Sequence, residues 1–198
     1  GLANTYGGSR MSTLKLTGSS SGSTSLQAPA SGSDRTITFP NNAGTVITNA
    51  TPGTIIQVLQ NAKLDTASTA SDTYATILSQ QITRSSTSNG VLISFTVYVS
   101  SPATSIPVIG FNIVRDSTNI AQASGSPNTK ATTLDYFATN SMSRHTVEFY
   151  DETPGGTNPI TYNIQWARVG TGTAYLGRYY GSDDYHAPAY LILKEVAA

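Results

Sequence analysis

The sequence predicts an all-β fold, an antiparallel β-sandwich of the jelly-roll kind. The clearest indication is the uncharged segment 90–100, in which every second residue is apolar: Val91, Ile93, Phe95, Val97 and Val99. In an extended strand these side chains share one face, so that face has to pack on a second apolar layer. The opposite, mixed face of Leu92, Ser94, Thr96 and Tyr98 is able to meet water or a partner chain.

Shorter alternating segments of the same type recur along the chain. They are bounded by Gly, Pro, Asn, Asp or Ser, and no helical pattern separates them; we predict strands at 54–60, 74–83, 106–115, 143–150, 160–169, 173–180 and 189–196. Regularly spaced short strands with turn residues between them are typical of sandwiches and barrels. The pairs Asn89-Gly90 and Asp116-Ser117 predict hairpin turns. Trp166 is expected to fill the core between the sheets.

The composition excludes several classes of function. Charged residues make up only 11% of the chain, whereas 25 Ser and 29 Thr make up 54 of its 198 residues. Eleven basic residues balance eleven acidic ones without a basic run, so we expect no nucleic-acid partner. No apolar segment approaches the ~20 residues that cross a bilayer, so we expect no membrane insertion. The absence of cysteine excludes disulfides and thiolate sites.

The chain divides by composition into three parts. Residues 1–10 form an arm or a remnant ahead of Met11, residues 11–52 form a Ser/Thr/Gly-rich stem, and residues 53–198 form a β-sandwich head. The stem carries only short apolar pairs, such as Leu14 with Leu16, which are too few for a core within one chain. The stem is therefore either a flexible linker or a thin β-rich rod in which three chains intertwine, and the β-branched alternation favours the rod. Thr51-Pro52-Gly53 marks the boundary with the head.

Several segments, taken in order, resemble one family of proteins. Met11-Ser-Thr-Leu-Lys-Leu and the runs Gly22–Ala30, Thr36–Pro40 and Gly44–Thr48 resemble the start and stem repeats of short tail-fibre proteins of tailed, marine-type bacteriophages. In the head, the segments 52–60, 114–118, 162–168 and 191–196 resemble the C-terminal module of those fibres. The resemblance covers nearly all of residues 11–198. It implies a trimeric virion appendage with a β-sandwich head, and it implies no catalytic residue.

The best candidate binding site is an aromatic and charged cluster near the C-terminus. It combines stacking rings with hydrogen-bonding groups, and its members are Tyr175, Arg178, Tyr179, Tyr180, Asp183, Asp184, Tyr185 and His186. A further tyrosine, Tyr190, follows the cluster in sequence. Such mixtures bind sugars, because a ring covers the apolar face of a pyranose while polar groups take the hydroxyls. The other interpretation is that these tyrosines cover strand surfaces or pack at a trimer axis.

We expect no enzyme, no cofactor and no metal centre. Nearly all of the acidic residues lie in predicted turns, where carboxylates commonly accept bonds from backbone amides, and no nucleophile elbow occurs. Asp183, Asp184 and His186 are close enough in sequence to raise a Ca²⁺ site as an alternative, although their spacing is not that of an EF-hand. His145 is expected to be a hydrogen-bonded, partly buried strand residue.

These observations predict a structural fibre or spike protein of a bacteriophage virion, located outside the cell. Its expected partners are two further copies of itself, another virion protein that binds the N-terminal segment, and a host surface glycan. Two alternatives remain open: a carbohydrate-binding or adhesive module of a bacterial surface protein, and a capsid-decorating fibre that has no receptor. Trimers would bind a receptor through avidity, so each single site needs only weak affinity.

Overall fold

The fold of the described residues is built entirely from β-strands. The computed structural model describes residues 13–17, 21–27, 51–102, 108–124, 131–136, 141–152 and 154–198. They form thirteen strands and no helix: β1 Thr13–Thr17, β2 Ser23–Gln27, β3 Ile55–Lys63, β4 Ala67–Thr69, β5 Ala75–Ile82, β6 Gly90–Ser100, β7 Val108–Arg115, β8 Thr118–Asn119, β9 Thr133–Tyr136, β10 Met142–Asp151, β11 Ile160–Val169, β12 Ala174–Leu176 and β13 Ala189–Val196. The prediction of an all-β fold is confirmed. Within these ranges, no helix is long and apolar enough to cross a membrane.

The chain divides into two compact units, Gly1–Thr45 and Val46–Ala198. In the first, β1 and β2 pair as an antiparallel ribbon in which Leu14 lies opposite Leu26, and Leu16 is exposed. A ribbon of two strands is marginally stable in water on its own. The predicted arm at 1–10 and most of the predicted stem lie outside the described residues. The intertwined trimeric stem and the division at residue 52 therefore stay predictions.

The second unit contains two antiparallel sheets. Sheet I has the order β3-β13-β6-β10. In addition, the short strand β12 pairs with the C-terminal end of β6, and the short strand β4 pairs with β12. Sheet II has the order β5-β11-β7-β9, and β8 pairs with the end of β7. Eight main strands are thus divided between two four-stranded sheets, with the consecutive strands β7 and β9 both in sheet II, and this is the arrangement of a jelly roll. The predicted jelly-roll class is confirmed.

The core lies between the two sheets, as the alternation predicted. The apolar set of β6 faces it, and Phe95 meets Phe111 of sheet II with ring centroids 6.0 Å apart. Trp166 of β11 is 3% exposed and belongs to the same core, so its predicted position is confirmed. His145 of β10 stacks on Phe111 at 6.2 Å and is partly buried. At one edge, the Gln57 side chain donates to the carbonyl of Thr83 at 2.7 Å, which joins β3 to the residue that follows β5.

One predicted hairpin is wrong. Asn89-Gly90 does not reverse the chain between paired strands, because β5 and β6 belong to different sheets. Neither residue has a positive φ. The end of the Tyr150 ring lies over Gly90, so a larger residue at position 90 would have to displace that ring. The Asn89 side chain is buried and donates to Glu195 instead. The turn predicted at Asp116 is confirmed, since β7 and β8 pair across it.

Glu195 is a fully buried carboxylate where β13 ends and β6 begins. Its oxygens accept hydrogen bonds from the side-chain amides of Asn89 and Gln57, both at 2.6 Å, and from the backbone N–H and hydroxyl of Ser85 at 2.7 and 2.8 Å. Burial acts to raise the pKa of Glu195, but these hydrogen bonds outweigh it and lower that pKa below its ordinary value of 4.5. The carboxylate therefore joins β13 to β3 and to the connection between β5 and β6.

The variant Glu195→Gln is expected to lower the free energy of unfolding at neutral pH by about 2 kcal/mol, because its amide nitrogen would face other donors. Since the folded pKa lies below the unfolded one, the native carboxylate stabilises the fold above about pH 4.5, and this contribution is lost as the pH falls through the folded value. Urea unfolding at neutral and acidic pH should show that the variant loses less stability on acidification than the native chain. The exposed Glu152→Gln should match the native chain; equal acid sensitivity of E195Q would contradict the assignment.

Candidate functional site

The candidate residues lie mainly in one loop that joins β12 to β13. We call residues 177–187 the tyrosine loop. The strand predicted at 173–180 stops at Leu176, because Gly177 has φ 72° and a Cβ there would lie 3.1 Å from the Ala187 carbonyl. Only glycine accepts this conformation without strain. The chain leaves sheet I at this point and forms the loop.

Backbone hydrogen bonds hold the two arms of the tyrosine loop together. The N–H of Ala187 donates to Gly177 at 2.9 Å, the N–H of Tyr179 donates to Tyr185 at 3.1 Å, and Arg178 forms a bridge with His186 between them. The base is fixed to β6, because the N–H of Gly177 donates to the Tyr98 carbonyl at 2.8 Å. The loop is thus an irregular hairpin anchored on sheet I, and residues 180–184 form its tip.

Arg178 is held on two sides. Its guanidinium forms an ion pair with Asp183, and its central carbon lies 4.6 Å from the centre of the Tyr175 ring. A guanidinium over an aromatic face is favourable at a partly exposed site. Because β12 carries Tyr175 next to the end of β6, this stack links the loop to sheet I. Arg178 therefore positions the loop tip and also presents donors at its surface.

Three tyrosine rings form a corner in the loop. The ring of Tyr179 lies 5.0 Å from that of Tyr180 and 6.3 Å from that of Tyr185, which it meets edge to face. Tyr185 is 67% exposed, so a face of its ring is open to solvent. Desolvation, together with the neighbouring Tyr180, raises the pKa of Tyr179. Tyr179 thus contacts both of the other rings in this corner.

The acidic residues of the loop are exposed and differ in their partners. Asp183 pairs with Arg178, whereas Asp184 accepts a hydrogen bond from the hydroxyl of Ser182 at 2.9 Å. The backbone N–H of Asp184 also donates to that hydroxyl, at 3.0 Å. One arginine against two aspartates leaves the loop with a net charge of −1 when His186 is neutral. In the described part of the chain, no three His, Asp or Glu side chains come together as a metal-binding group.

The structure brings together all eight residues of the predicted site. Seven lie in the tyrosine loop and Tyr175 lies beside it, in contact with Arg178. Tyr190 is elsewhere: it lies within β13 and pairs with Ala62 and Thr96 across sheet I. Sequence analysis did not identify Ser182, which fixes Asp184. A Ser-Asp-Asp run at a loop tip was the available signal, because serine hydroxyls commonly bond to nearby backbone in turns.

Comparisons with known proteins identify no family. No protein-family model matches the chain, and no curated protein matches it. One similar solved structure is a Bacillus endospore appendage, described as a disulfide-linked pilus: it is 13% identical, has a TM-score of 0.33, and the match covers 79% of this chain and 100% of that one. This sequence contains no cysteine, so it has no residue that could form such a disulfide.

Other similar structures come from infectious bursal disease virus. A chain of its viral particle is 15% identical with a TM-score of 0.44, and the match covers 88% of this chain and 42% of that one. A structure of the Gx strain is 16% identical with a TM-score of 0.41, and the match covers 89% of this chain and 43% of that one. The chain thus spans less than half the length of the viral chains that it matches. At this level of similarity, function has to be argued from the residues of this chain.

Proposed function

We propose that the chain is a structural fibre or spike protein of a bacteriophage virion, which assembles as a homotrimer and contacts the host surface through the tyrosine loop. The exposed, anchored corner of tyrosines in that loop is the observation that carries the host contact. Virion location and attachment to another virion protein through the N-terminal segment follow from the resemblance of residues 11–198 to short tail fibres. The proposal assigns the chain no catalytic step and no cofactor.

The jelly-roll architecture supports this role, because viral capsid domains and lectins both use it. Its sheets form a rigid body, and the loops between strands carry the contacts. In this chain the tyrosine loop is fixed to β6 by backbone hydrogen bonds and by the Arg178–Tyr175 stack. An anchored loop loses little conformational entropy when it binds, which favours recognition by a small exposed site.

The chemistry of the loop favours a neutral sugar as the ligand. The exposed face of Tyr185 matches the apolar face of a pyranose, and its exposed sequence neighbours Asp184 and His186 offer hydrogen-bonding groups for hydroxyls. The net charge of −1 disfavours sugars that carry carboxylates or phosphates, because like charges repel. We therefore assign the site to neutral hexoses of a host surface polysaccharide. Three copies of the site in one homotrimer would strengthen weak binding at each single site through avidity.

Removal of the stacking ring tests this assignment. Tyr185→Ala is expected to weaken binding to neutral glycans on an array by about five- to tenfold, because one sugar–aromatic contact is worth roughly 1 to 1.5 kcal/mol. Tyr185→Phe keeps the ring and should retain most of the binding. Circular dichroism of both variants should match the native chain, since residue 185 is exposed.

Two results would count against the proposal. If native protein binds no neutral glycan while an acidic glycan is bound, the ligand class is wrong. If Y185A binds as well as the native chain, the tyrosine loop is not the contact site.

The same loop would also serve a carbohydrate-binding module of a bacterial surface protein. The second candidate function predicts that a single chain binds the glycan as a monomer, whereas the fibre function predicts that the chain assembles as a homotrimer.

A further inference from the structure

One dipeptide of the head is chemically more reactive than its surroundings. Asparagine is among the thermolabile residues, and Asn89-Gly90 is the only asparagine–glycine pair in the sequence. In such a pair the backbone nitrogen of the glycine can attack the side-chain carbonyl carbon of the asparagine, because no Cβ obstructs its approach. Ammonia leaves, a cyclic imide forms, and water opens the ring to aspartate or isoaspartate. A neutral amide thereby becomes a carboxylate.

The fold fixes both residues of this pair. The side-chain nitrogen of Asn89 donates to Glu195 at 2.6 Å and to the hydroxyl of Ser85 at 3.2 Å. The backbone carbonyl of Asn89 accepts a hydrogen bond from the buried guanidinium of Arg84. Gly90 is the first residue of β6, and it pairs there with the end of β13. The side chain, the peptide unit and the following residue are thus each bound to another part of the sandwich.

Formation of the cyclic imide requires these contacts to break. The attacking nitrogen and the side-chain carbon belong to neighbouring residues, so the peptide unit and the side chain of Asn89 have to rotate toward each other. That rotation releases the bonds to Glu195 and from Arg84, and it removes Gly90 from its strand pairing. Asn89 is also only 5% exposed, so water has little access to it. The native head therefore protects the pair, and the reaction needs an opening where β13 ends and β6 begins.

Deamidation would place a second carboxylate against Glu195. The Asn89 nitrogen that lies 2.6 Å from a Glu195 oxygen would be replaced by an oxygen. Two carboxylates at this distance are not both ionised without a large loss of stability, and Glu195 is fully buried. Glu195 also loses one of its hydrogen-bond donors in the same step. A chain that is modified in the open state therefore cannot return to a head of native stability.

From these observations we propose that Asn89 is a modification site, at which spontaneous deamidation makes unfolding of the head irreversible. The reactants are the chain itself and water, and no enzyme or cofactor takes part. In the native head Asn89 is a donor to a buried carboxylate, and after release it becomes the group that prevents refolding. The inference depends neither on the homotrimer nor on a ligand of the tyrosine loop.

Mass spectrometry of the peptide that contains residue 89 measures the reaction, because replacing the side-chain amine by a hydroxyl changes its mass. Thr171→Asn supplies a matched control, since residue 171 is exposed and Gly172 follows it. At mildly alkaline pH, deamidation at position 89 should be at least about tenfold slower in native buffer than in guanidinium chloride. At position 171 of T171N the two conditions should differ by less than about threefold. Equal rates at position 89 in both conditions would overturn the protection.

The variant Asn89→Asp tests the consequence of the modification directly. It should lower the melting temperature at neutral pH by about 10 °C, because it sets a carboxylate against the buried Glu195. The matched control is Asn158→Asp in the exposed part of the connection from β10 to β11, which should shift the melting temperature by less than about 2 °C. A melting temperature of N89D equal to that of the native chain would overturn the proposed consequence.

Refolding of the native chain tests the whole proposal even if N89D does not fold. Samples are held in guanidinium chloride for increasing times and are then diluted, and the fluorescence of the single, buried Trp166 reports the native fold. The recovered fraction should fall in parallel with the fraction of chains that keep an intact Asn89. Full recovery of chains that mass spectrometry shows to be deamidated at position 89 would overturn the proposal.

Discussion

Replacing Trp166 with alanine is expected to lower the free energy of unfolding by about 4 kcal/mol, which is the largest effect we expect from a single core substitution. Trp166 is 3% exposed in β11, beside Phe111 of β7 in sheet II. Its removal takes away the transfer energy of a large ring and leaves a cavity between the sheets that the rigid sandwich refills only in part.

Urea unfolding at a fixed protein concentration measures this loss. Trp166→Phe should cost less than half as much, because it keeps most of the ring volume. Tyr185→Ala is the matched control: it also removes an aromatic ring, but from a side chain that is 67% exposed, and it should change stability by less than about 0.5 kcal/mol. Similar losses for W166A and Y185A would contradict the assignment of Trp166 to the core.

The second large effect is expected at a buried ionic group between the sheets. Asp151 ends β10 and accepts hydrogen bonds at 2.9 Å from one guanidinium nitrogen of Arg115 to each of its two oxygens, and at 2.8 Å from the hydroxyl of Tyr162. Burial, together with this bond to Asp151, raises the pKa of Tyr162, so the phenol keeps its proton and remains a donor. The group joins sheet I to β7 and β11 of sheet II.

Asp151→Ala is expected to cost about 3 to 5 kcal/mol, because it removes the ion pair with the partly buried Arg115 and the acceptor of the buried Tyr162 hydroxyl. Tyr162→Phe removes only one hydrogen bond and should cost about 1 kcal/mol. In the double variant the cost should be less than the sum of the two, since both changes break the same contact. Full additivity in urea unfolding would show that Tyr162 and Asp151 do not interact.

The strands of the head were largely predictable, because strand periodicity is local. Segment 90–100 and segments 160–169 and 189–196 match β6, β11 and β13 in the structure. Their alternation of apolar and polar side chains marks the buried face without knowledge of the neighbouring strands. The strand pairing was not predictable in this way: β13 pairs with β3 and β6, which lie far from it in sequence.

The failed hairpin at Asn89-Gly90 shows why local turn signals mislead. Asparagine followed by glycine favours a tight reversal when the flanking strands pair. Here the flanking strands enter different sheets, and Asn89 is needed to satisfy a carboxylate more than a hundred residues away, at Glu195. The strand expected to run to residue 180 ended early for a related reason, because Gly177 approaches the Ala187 carbonyl on the returning arm of the loop.

The sequence predicted which residues belong to the candidate site, but not how their side chains are placed relative to each other. Proximity in sequence placed the eight residues of the predicted cluster in one region, and the structure places them together. Which ring is open to a ligand depends on contacts that sequence does not display, such as Tyr179 against Tyr185.

The central claim is that this head works as a three-fold assembly of identical jelly rolls. Electron cryomicroscopy of the purified full chain, together with its mass in dilute solution, tests that claim most directly. We predict particles of three copies related by a three-fold axis. Single jelly rolls at every concentration measured would contradict the account.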